Sequence, residues 1–464
     1  MKLQFVSRTG AARLILVYAG WAMDAAPFEG IHRPGYDIAI VWDYREFQLD
    51  WSFAAHYSEV CVVAWSLGVY AAAVTAPALA RRITCRIAVN GTLWPVDRLL
   101  GIPPKVFAGT AAGLNERQLG KFYRRVCGSR EAFVAFSEKM PSRNVPELLE
   151  ELDVFLADNL FAPQMERRWD VALISSDDAI FPPVNQWRAW RGTPVRFIEG
   201  PHLPDMQMII DRYIIDKDQT RSRFARGLET YDSQASVQSD VVKIMDDVIC
   251  GEEISRRISS RGARTLEIGS GTGTLTACLD RVCGEQAYLE MWDLAGSAPV
   301  TGKLRCFRNT DAEMSIMRVP SSSFDLIASA STVQWFNSPS RFLHECLRVL
   351  APGGFLVFST FAKGNLRQIT ETTGVGLPLL TARQWAMLTP PGMSVIGMKT
   401  YRYELEFESA VGAFRHLRLT GVDSLGRGAQ SVNPVSAVRK FFPDLDGKYR
   451  LTYRPLIVIM RKEQ

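Results

Sequence analysis

The sequence lacks the paired cysteines that zinc sites and redox motifs use. Its eight cysteines are scattered, and no two of them form a CxxC pair. This pattern predicts a reducing compartment and no metal site. Long apolar runs are also missing, because residues 14–19 are too few for a membrane span or signal-peptide core, and Asp24 follows soon after. We therefore expect a cytoplasmic protein that does not act at a membrane.

Charge of either sign is not in large excess. Lysine and arginine number 54 against 49 aspartate and glutamate residues, a formal charge of +5, and 47% of residues are hydrophobic. This composition is that of an ordinary globular protein and does not favour nucleic acid as a partner. It leaves room for a basic patch that faces an acidic partner. The length of 464 residues predicts two or three domains.

The second half contains a glycine-rich turn between a predicted strand and a predicted helix. Glu267 is the acidic residue that precedes the turn, and three glycines follow at alternate positions: Gly269, Gly271 and Gly273. Glycines let a backbone approach a ligand closely and adopt positive φ. Asp293 ends the next predicted strand, at 288–293, where an acid can accept hydrogen bonds from ribose hydroxyls. The pattern predicts a nucleoside-cofactor site, with a purely structural turn as the alternative.

The stretch E-I-G-S-G-T-G resembles the first motif of class I S-adenosylmethionine-dependent methyltransferases. The resemblance implies S-adenosylmethionine as methyl donor, whereas a glycine triplet alone would also suit a nicotinamide cofactor. Asp311 follows at a later loop, where it could accept from the adenine amine, with the N–H of Ala312 nearby. An ordinary loop is the alternative for these two residues.

The first half of the sequence predicts a parallel sheet. Apolar runs without alternation at 14–18, 38–43, 59–64 and 83–90 alternate with helical stretches, and two shorter runs follow near 169–176 and 194–198. Such runs predict strands that are covered on both faces, the arrangement of α/β proteins. Between residues 101 and 168 lies a helical insertion.

Ser66 lies at a strand-to-helix turn, in A-W-S-L-G, where G-x-S-x-G would form a nucleophile elbow. A serine that only caps the helix is the alternative. A role for Ser66 as nucleophile needs an acid and then a histidine further along the chain. His202 is the one histidine of the first half after Ser66, and Asp178 is our choice for the acid, with Asp177 as the second choice.

In this scheme His202 accepts the serine proton and Asp178 orients the imidazole. The backbone N–H groups of Leu67 and Trp21 would stabilise the oxyanion, each by about 3 kcal/mol. A basic cluster lies in the helical insertion: Lys121, Arg124, Arg125 and Arg130. It is either a solvated helix face or a docking site for an acidic partner.

Several segments of the first half match one family. They include A-G-W at 19–21, A-W-S-L-G at 64–68, F-Y-R-R-V-C-G at 122–128 and I-F-P-P-V-N-Q at 180–186. Residues 1 to about 210 resemble the BioG-type pimeloyl-[acyl-carrier-protein] methyl ester esterases. The resemblance implies an α/β-hydrolase fold with a helical cap, demethylation of the pimeloyl ester, and contact between the cap arginines and an acidic carrier protein.

The second half resembles the BioC-type malonyl-[acyl-carrier-protein] O-methyltransferases. The resemblance covers about 224–464 and includes F-x-R…Y-D…A…Q, which ends at Gln238, as well as D-A-E, F-D-L-I-A-S and Q-W. It implies a Rossmann-like methyltransferase fold. We predict domains at 1–218 and 219–464, joined by a polar linker at 215–223, and an insertion at about 361–425 that covers the acceptor site. A hydrolase-like docking module, or another carboxylic metabolite as substrate, remains open.

Overall fold

A computed structural model describes residues 1–79, 82–157, 165, 167–296, 305–374, 376–420 and 434–464, with the backbone alone at 227–234, 305 and 434–436. The chain divides into two compact units, Met1–Ile214 and Ile215–Gln464. This division lies close to the predicted boundary at residue 218. Among the described residues no helix is both long and apolar enough to cross a membrane.

The first unit is built on one sheet of seven strands. They are β1 (Lys2–Ser7), β2 (Arg13–Tyr18), β3 (Asp37–Trp42), β4 (Glu59–Trp65), β5 (Ile83–Val89), β6 (Val171–Ser175) and β7 (Val195–Ile198). Their order is β1-β3-β2-β4-β5-β6-β7, and all pairs are parallel except β1 with β3. Strands β2 to β5 are buried almost throughout, because they lie in the middle of the sheet with helices on its faces.

The helices of the first unit cover the sheet and form the predicted insertion. They are α1 (Gly68–Thr75), α2 (Pro104–Ala112), α3 (Glu116–Cys127), α4 (Arg130–Ser137), α5 (Val145–Leu156), α6 (Pro183–Ala189) and α7 (Met206–Tyr213). Helices α2 to α5 all lie between β5 and β6 in the chain and form the insertion. Their apolar stripes enter the core, as Leu119 and Tyr123 of α3 and Leu152 of α5 do.

The second unit has a seven-stranded sheet and a two-stranded one. The strands are β8 (Arg264–Ile268), β9 (Tyr288–Asp293), β10 (Arg305–Asn309), β11 (Phe324–Ser329), β12 (Leu350–Phe361), β13 (Met393–Thr400), β14 (Tyr403–Phe407), β15 (Tyr449–Tyr453) and β16 (Pro455–Lys462). The larger sheet has the order β10-β9-β8-β11-β12-β16-β13, and β14 pairs with β15. The order of the parallel strands reverses between β8 and β11, and ligands bind at such a switch point in open α/β sheets.

The second unit's helices precede, connect and follow these strands. They are α8 (Lys217–Gln234), α9 (Ser236–Ile249), α10 (Glu252–Ile258), α11 (Thr274–Val282), α12 (Ala312–Ser315), α13 (Pro339–Val349), α14 (Arg367–Thr373), α15 (Ala382–Met387), α16 (Ala410–Leu419) and α17 (Pro434–Lys440). The insertion predicted at 361–425 contains α14 to α16, β13 and β14, and its last residues, 421–425, lie outside the described ones.

The division between the two units falls at the start of the segment predicted as a linker, 215–223, but most of this segment is helical, since α8 begins at Lys217. Its polar composition suits the exposed side of a helix as well as a loop. The start of α8 is fixed by Lys217, whose buried ammonium lies 2.6 Å from Glu313 Oε2 and donates to the Trp335 carbonyl at 2.8 Å. An ion pair with both partners buried holds a helix end firmly, because removing one partner leaves the other charge without solvation.

Two candidate active sites

Ser66 adopts the strained backbone that a nucleophile elbow requires. It lies between β4 and α1 with φ of +60°, a left-handed conformation that residues other than glycine rarely adopt. The elbow is closely packed. A Cβ on Gly68 would lie 2.6 Å from the carbonyl oxygens of Tyr18 and Ala19, and a Cβ on Gly91 would lie 2.2 Å from the Ser66 carbonyl oxygen. Glycine at both positions therefore permits the turn.

Gly91→Ala is expected to lower ester hydrolysis at Ser66 by about 10²-fold, because the new methyl group must push the elbow out of place. Hydrolysis of an ester by the purified variant measures the effect, and circular dichroism verifies folding. Gly120→Ala is the matched control: nothing lies within 4 Å of the added Cβ in α3, so activity should be retained. Full activity of Gly91→Ala would contradict the role given to this packing.

The three predicted catalytic side chains meet in one buried row. Ser66 Oγ lies 2.9 Å from His202 Nε2, and His202 Nδ1 lies 2.9 Å from each carboxylate oxygen of Asp178. The three residues are 4%, 1% and 6% exposed, in that order. A histidine held between a hydroxyl and a carboxylate can take the hydroxyl proton and remain oriented as it does so. The arrangement is capable of nucleophilic catalysis.

Asp178 is held by neighbours that also select it over Asp177. Its Oδ1 accepts from the backbone N–H groups of Ile180 and Phe181 at 2.8 and 2.9 Å, and its Oδ2 accepts from Gln186 Nε2 at 2.8 Å. Asp177 instead is exposed and accepts from the Ser176 hydroxyl. The fully buried Gln186 was not predicted, because no sequence signal joins a helix glutamine to an aspartate eight positions earlier.

His202 is fixed through its backbone as well as its ring. Its carbonyl accepts from Trp65 Nε1 and from Asn90 Nδ2, both at 2.9 Å. The Phe181 ring lies parallel to the imidazole, with centroids 6.2 Å apart. These contacts restrict the loop after β7 to one position. The ring is therefore placed before any substrate binds, which lowers the reorganisation that catalysis needs.

A cleft of about 500 Å³ opens beside Ser66. Trp21 and Leu67 line it, and neither backbone N–H has an acceptor among the described residues. Free N–H groups next to a serine hydroxyl can stabilise a developing oxyanion. Most other lining residues are apolar: Ile102, Val106, Phe107, Phe122, Leu152, Ala179 and Ile180. The cleft suits an acyl chain.

The basic cluster of the insertion lies on the surface. Lys121, Arg124 and Arg125 are exposed on α3, and Arg130 is exposed at the start of α4. The Arg124 guanidinium lies 5.2 Å from the centre of the Phe133 ring, and Arg125 also lines the cleft beside Ser66. Positive charge therefore extends from the outside of the insertion to the cleft.

The glycine-rich turn of the second unit follows β8 as predicted. Gly269, Gly271 and Gly273 have φ values of +77°, +50° and +92°. A Cβ on Gly269 would lie 1.9 Å from Thr332 Oγ1, whereas one on Gly271 would meet nothing within 4 Å. The first glycine is thus required by packing, and the second lies where the turn faces open space. Helix α11 begins after Gly273 without a side-chain cap, so its first N–H groups remain available to a ligand.

Asp293 ties the end of β9 to this turn. Its Oδ2 accepts from the Gly271 N–H at 2.8 Å, and its Oδ1 accepts from the Ala295 N–H at 2.7 Å. The side chain is only half-buried. Oδ1 also accepts from the Gly296 N–H, whereas Oδ2 keeps a second acceptor position, to which a ribose hydroxyl of a nucleoside could donate.

Glu267 is placed beneath the turn rather than beside the open space. It is fully buried, and its Oε2 accepts from Thr276 Oγ1 of α11 at 2.6 Å. Burial raises the pKa of Glu267 to about 7, and the hydrogen bond from Thr276 only partly opposes this effect. Its Oε1 has no hydrogen-bond partner among the described residues.

A cavity of about 1170 Å³ connects these elements. Five predicted cofactor residues line it, namely Gly269, Gly271, Asp293, Asp311 and Ala312, whereas Glu267 and Gly273 do not. Asp311 Oδ1 caps α12 by accepting from the Glu313 N–H at 2.9 Å. Sequence reasoning missed the aromatic walls, Trp292, Trp335 and Phe336 among them. The acids, the aromatic walls and the open turn fit an adenosine-containing ligand such as S-adenosylmethionine.

Two family models match the chain. The model of the pimeloyl-ACP methyl esterase BioG family matches residues 1–208, and a methyltransferase-domain model matches residues 266–358. The second unit therefore has a Rossmann-like methyltransferase fold, as its sequence predicts.

Individual proteins are similar over one or both units. Malonyl-[acyl-carrier protein] O-methyltransferase of Bacteroides fragilis is 32% identical over 462 residues, which cover 97% of this chain and 92% of that protein. A Haemophilus influenzae protein of the same name is 28% identical and covers 53% of this chain and 95% of its own length. The crystal structure of Haemophilus influenzae BioG is 34% identical and covers 44% of this chain and 94% of its own, with a TM-score of 0.40. The first of these similarities extends across both units.

Proposed function

Because the chain belongs to the family of malonyl-[acyl-carrier protein] O-methyltransferases, we propose that it is a bifunctional enzyme of biotin synthesis. Its second unit methylates the free carboxylate of malonyl-acyl-carrier protein, and its first unit hydrolyses pimeloyl-acyl-carrier protein methyl ester. The ester hydrolysis depends on the row formed by Ser66, His202 and Asp178, since a unit used only for docking would not need this row. A cytoplasmic location is part of the proposal.

S-adenosylmethionine supplies an activated methyl group on a sulfonium. Asp293 accepts from the ribose hydroxyls, Asp311 accepts from the adenine amine with the Ala312 N–H beside it, and Gly269 and Gly271 allow the backbone to approach the ligand. Glu267 supports the turn from below through Thr276. The malonyl carboxylate is already ionised at neutral pH, so no general base is needed. Alignment in a cavity that excludes water is the main contribution of the protein.

The first unit acts as a serine esterase with an α/β-hydrolase fold and a helical cap. Ser66 Oγ attacks the ester carbonyl carbon while His202 takes its proton and Asp178 holds the imidazole. The N–H groups of Leu67 and Trp21 stabilise the oxyanion. His202 then gives the proton to the departing methoxide, which leaves as methanol. Water, deprotonated by His202, releases the acid from acyl-Ser66.

One chain with both activities must not hydrolyse its own first product. Pimeloyl carries four more methylenes than malonyl, and burying each contributes about 0.8 kcal/mol. The apolar cleft beside Ser66 should therefore favour the pimeloyl ester by roughly 3 kcal/mol, or about 10²-fold in kcat/KM. Both methyl esters on the same carrier protein provide the comparison. Equal kcat/KM values would rule out discrimination by the cleft.

The exposed basic residues of α3 dock the acidic carrier protein. Lys121→Glu/Arg124→Glu is expected to raise KM for pimeloyl-carrier protein methyl ester at least about 10-fold, because attraction becomes repulsion. Hydrolysis of the same ester on pantetheine alone should not change. The control variant Arg8→Glu/Arg191→Glu changes the net charge by the same amount, at two exposed arginines outside the insertion. It should leave KM unchanged for both the carrier-protein ester and the pantetheine ester. A KM increase of equal size in that control would mean that only net charge matters.

A bacterium that lacks both activities tests the whole proposal in cells. The wild-type chain should restore growth without biotin, whereas Ser66→Ala and Asp293→Ala should each fail alone. Expressed together, the two variants should restore growth, because each supplies the activity that the other lacks. Growth with Ser66→Ala alone, in a strain proved to have no other esterase for this step, would leave the first unit as a docking module.

A further inference from the structure

Gln238 is a buried amide that hydrogen-bonds through its side chain to none of the residues that the structure describes. It lies in the first turn of α9 and is 7% exposed. Since Gln238 lines a cavity, its carboxamide can hydrogen-bond to a ligand there.

Gln238 lines two adjoining cavities. One is the cavity that contains the glycine-rich turn, and the other has a volume of about 550 Å³. The two share Phe224, Ser331 and Trp335 as well as Gln238. The second cavity is walled by residues that follow β12, including Leu366 and Leu377. An acceptor in the second cavity would therefore meet a methyl donor in the first at the position of Gln238.

Among the described residues that line the two cavities, Lys217 is the one basic side chain. Its ammonium is already engaged by Glu313 and by the Trp335 carbonyl. The second cavity offers amides in place of cations, those of Gln238, Gln334 and Asn365. Two of these amides already hydrogen-bond within the protein. Gln334 Nε2 donates to the Ser331 carbonyl, and Asn365 Oδ1 accepts from the Arg454 N–H.

We propose that the Gln238 carboxamide binds the malonyl carboxylate and positions its oxygen for methyl transfer. The proposal rests on the proposed methyltransferase function and names the acceptor site for it. The carboxylate oxygen forms a bond to the methyl carbon while the carbon–sulfur bond breaks and its electron pair stays on sulfur. The negative and positive charges both disappear. A fixed cation would stabilise the charged reactant more than the transition state, so a neutral donor suits the step better.

Calorimetry with malonyl-pantetheine and protein saturated with S-adenosylhomocysteine measures acceptor binding without turnover. Gln238→Glu keeps the size of the side chain but replaces the N–H donors by a negative charge, and Gln238→Leu removes the polar group. We expect malonyl-pantetheine binding to weaken at least about 30-fold in Gln238→Glu and about 10-fold in Gln238→Leu. Binding of uncharged acetyl-pantetheine and of S-adenosylhomocysteine should change less than about 3-fold.

Gln286→Glu, an exposed substitution in the turn before β9, is the matched control and should bind like the wild type. Malonyl binding that is unchanged in both Gln238 variants would overturn the inference. So would an equal loss for S-adenosylhomocysteine, which would assign Gln238 to the donor, and so would a wild type that binds malonyl-pantetheine no better than acetyl-pantetheine. Binding that depends on Gln238 without methylation of malonyl-carrier protein would keep the site and refute the proposed function.

Discussion

Ser66→Ala should lower kcat/KM for hydrolysis of pimeloyl-carrier protein methyl ester by about 10⁴-fold or more. The reason is that Ser66 supplies the attacking oxygen. His202 lies 2.9 Å from that oxygen, and within the described part of the chain its ring contacts no other hydroxyl. The substitution removes one atom from a buried position, so the fold should persist. Mass spectrometry of the carrier protein follows the loss of the methyl group, and methylation by the second unit should continue at the wild-type rate.

A matched control separates loss of the nucleophile from loss of a serine. Ser176 is exposed, and its hydroxyl donates to Asp177, outside the catalytic row. Ser176→Ala should therefore keep esterase activity within about 2-fold, as surface substitutions usually do. Undiminished hydrolysis by Ser66→Ala would show that the ester is cleaved elsewhere and that the elbow is only a structural turn.

Asp293→Ala should weaken S-adenosylmethionine binding by about 10²-fold or more. The carboxylate accepts from the N–H groups of Gly271 and Ala295, so its loss frees the glycine-rich turn as well as removing an acceptor for the ribose. Hydrogen bonds to a charged group contribute about 1.5–3 kcal/mol each. Equilibrium dialysis with the labelled methyl donor measures the change, and esterase activity reports that the first unit is intact.

Asp247→Ala is the control for this change. Asp247 is exposed on α9 and does not line the cavity, so its replacement should leave S-adenosylmethionine affinity unchanged. Wild-type affinity in Asp293→Ala would remove Asp293 from the cofactor site. The glycine-rich turn would then have to act without its acid.

The sequence was most informative where a local pattern and the tertiary structure agree. Buried parallel strands are continuous apolar runs, and the strand predicted at 288–293 coincides with β9. Ser66 was identifiable because an elbow needs small residues around it. His202 followed because it is the one histidine downstream of Ser66 in the first half.

Features that depend on contacts distant in sequence were missed. Strand β1 has alternating exposure at the edge of the sheet and contains Lys2 and Gln4, so it lacks the apolar run that marks a buried strand. The charges at the start of α8 suggested a linker because the partner of Lys217, Glu313, lies far along the chain. Gln186 and Gln238 have uses that appear only when the fold brings their neighbours together. The side chains of Tyr231 and Asp232, named in the methyltransferase resemblance, lie outside the described residues.

Mass spectrometry of the carrier protein, with the purified wild-type chain, tests the central claim most directly. With S-adenosylmethionine, malonyl-carrier protein should gain about 14 Da, and pimeloyl-carrier protein methyl ester should lose about 14 Da in a separate reaction. Gain in the first reaction and loss in the second are the predicted result. Gain without loss would leave a methyltransferase with an inactive first unit, and no change in either reaction would contradict the assignment of both substrates.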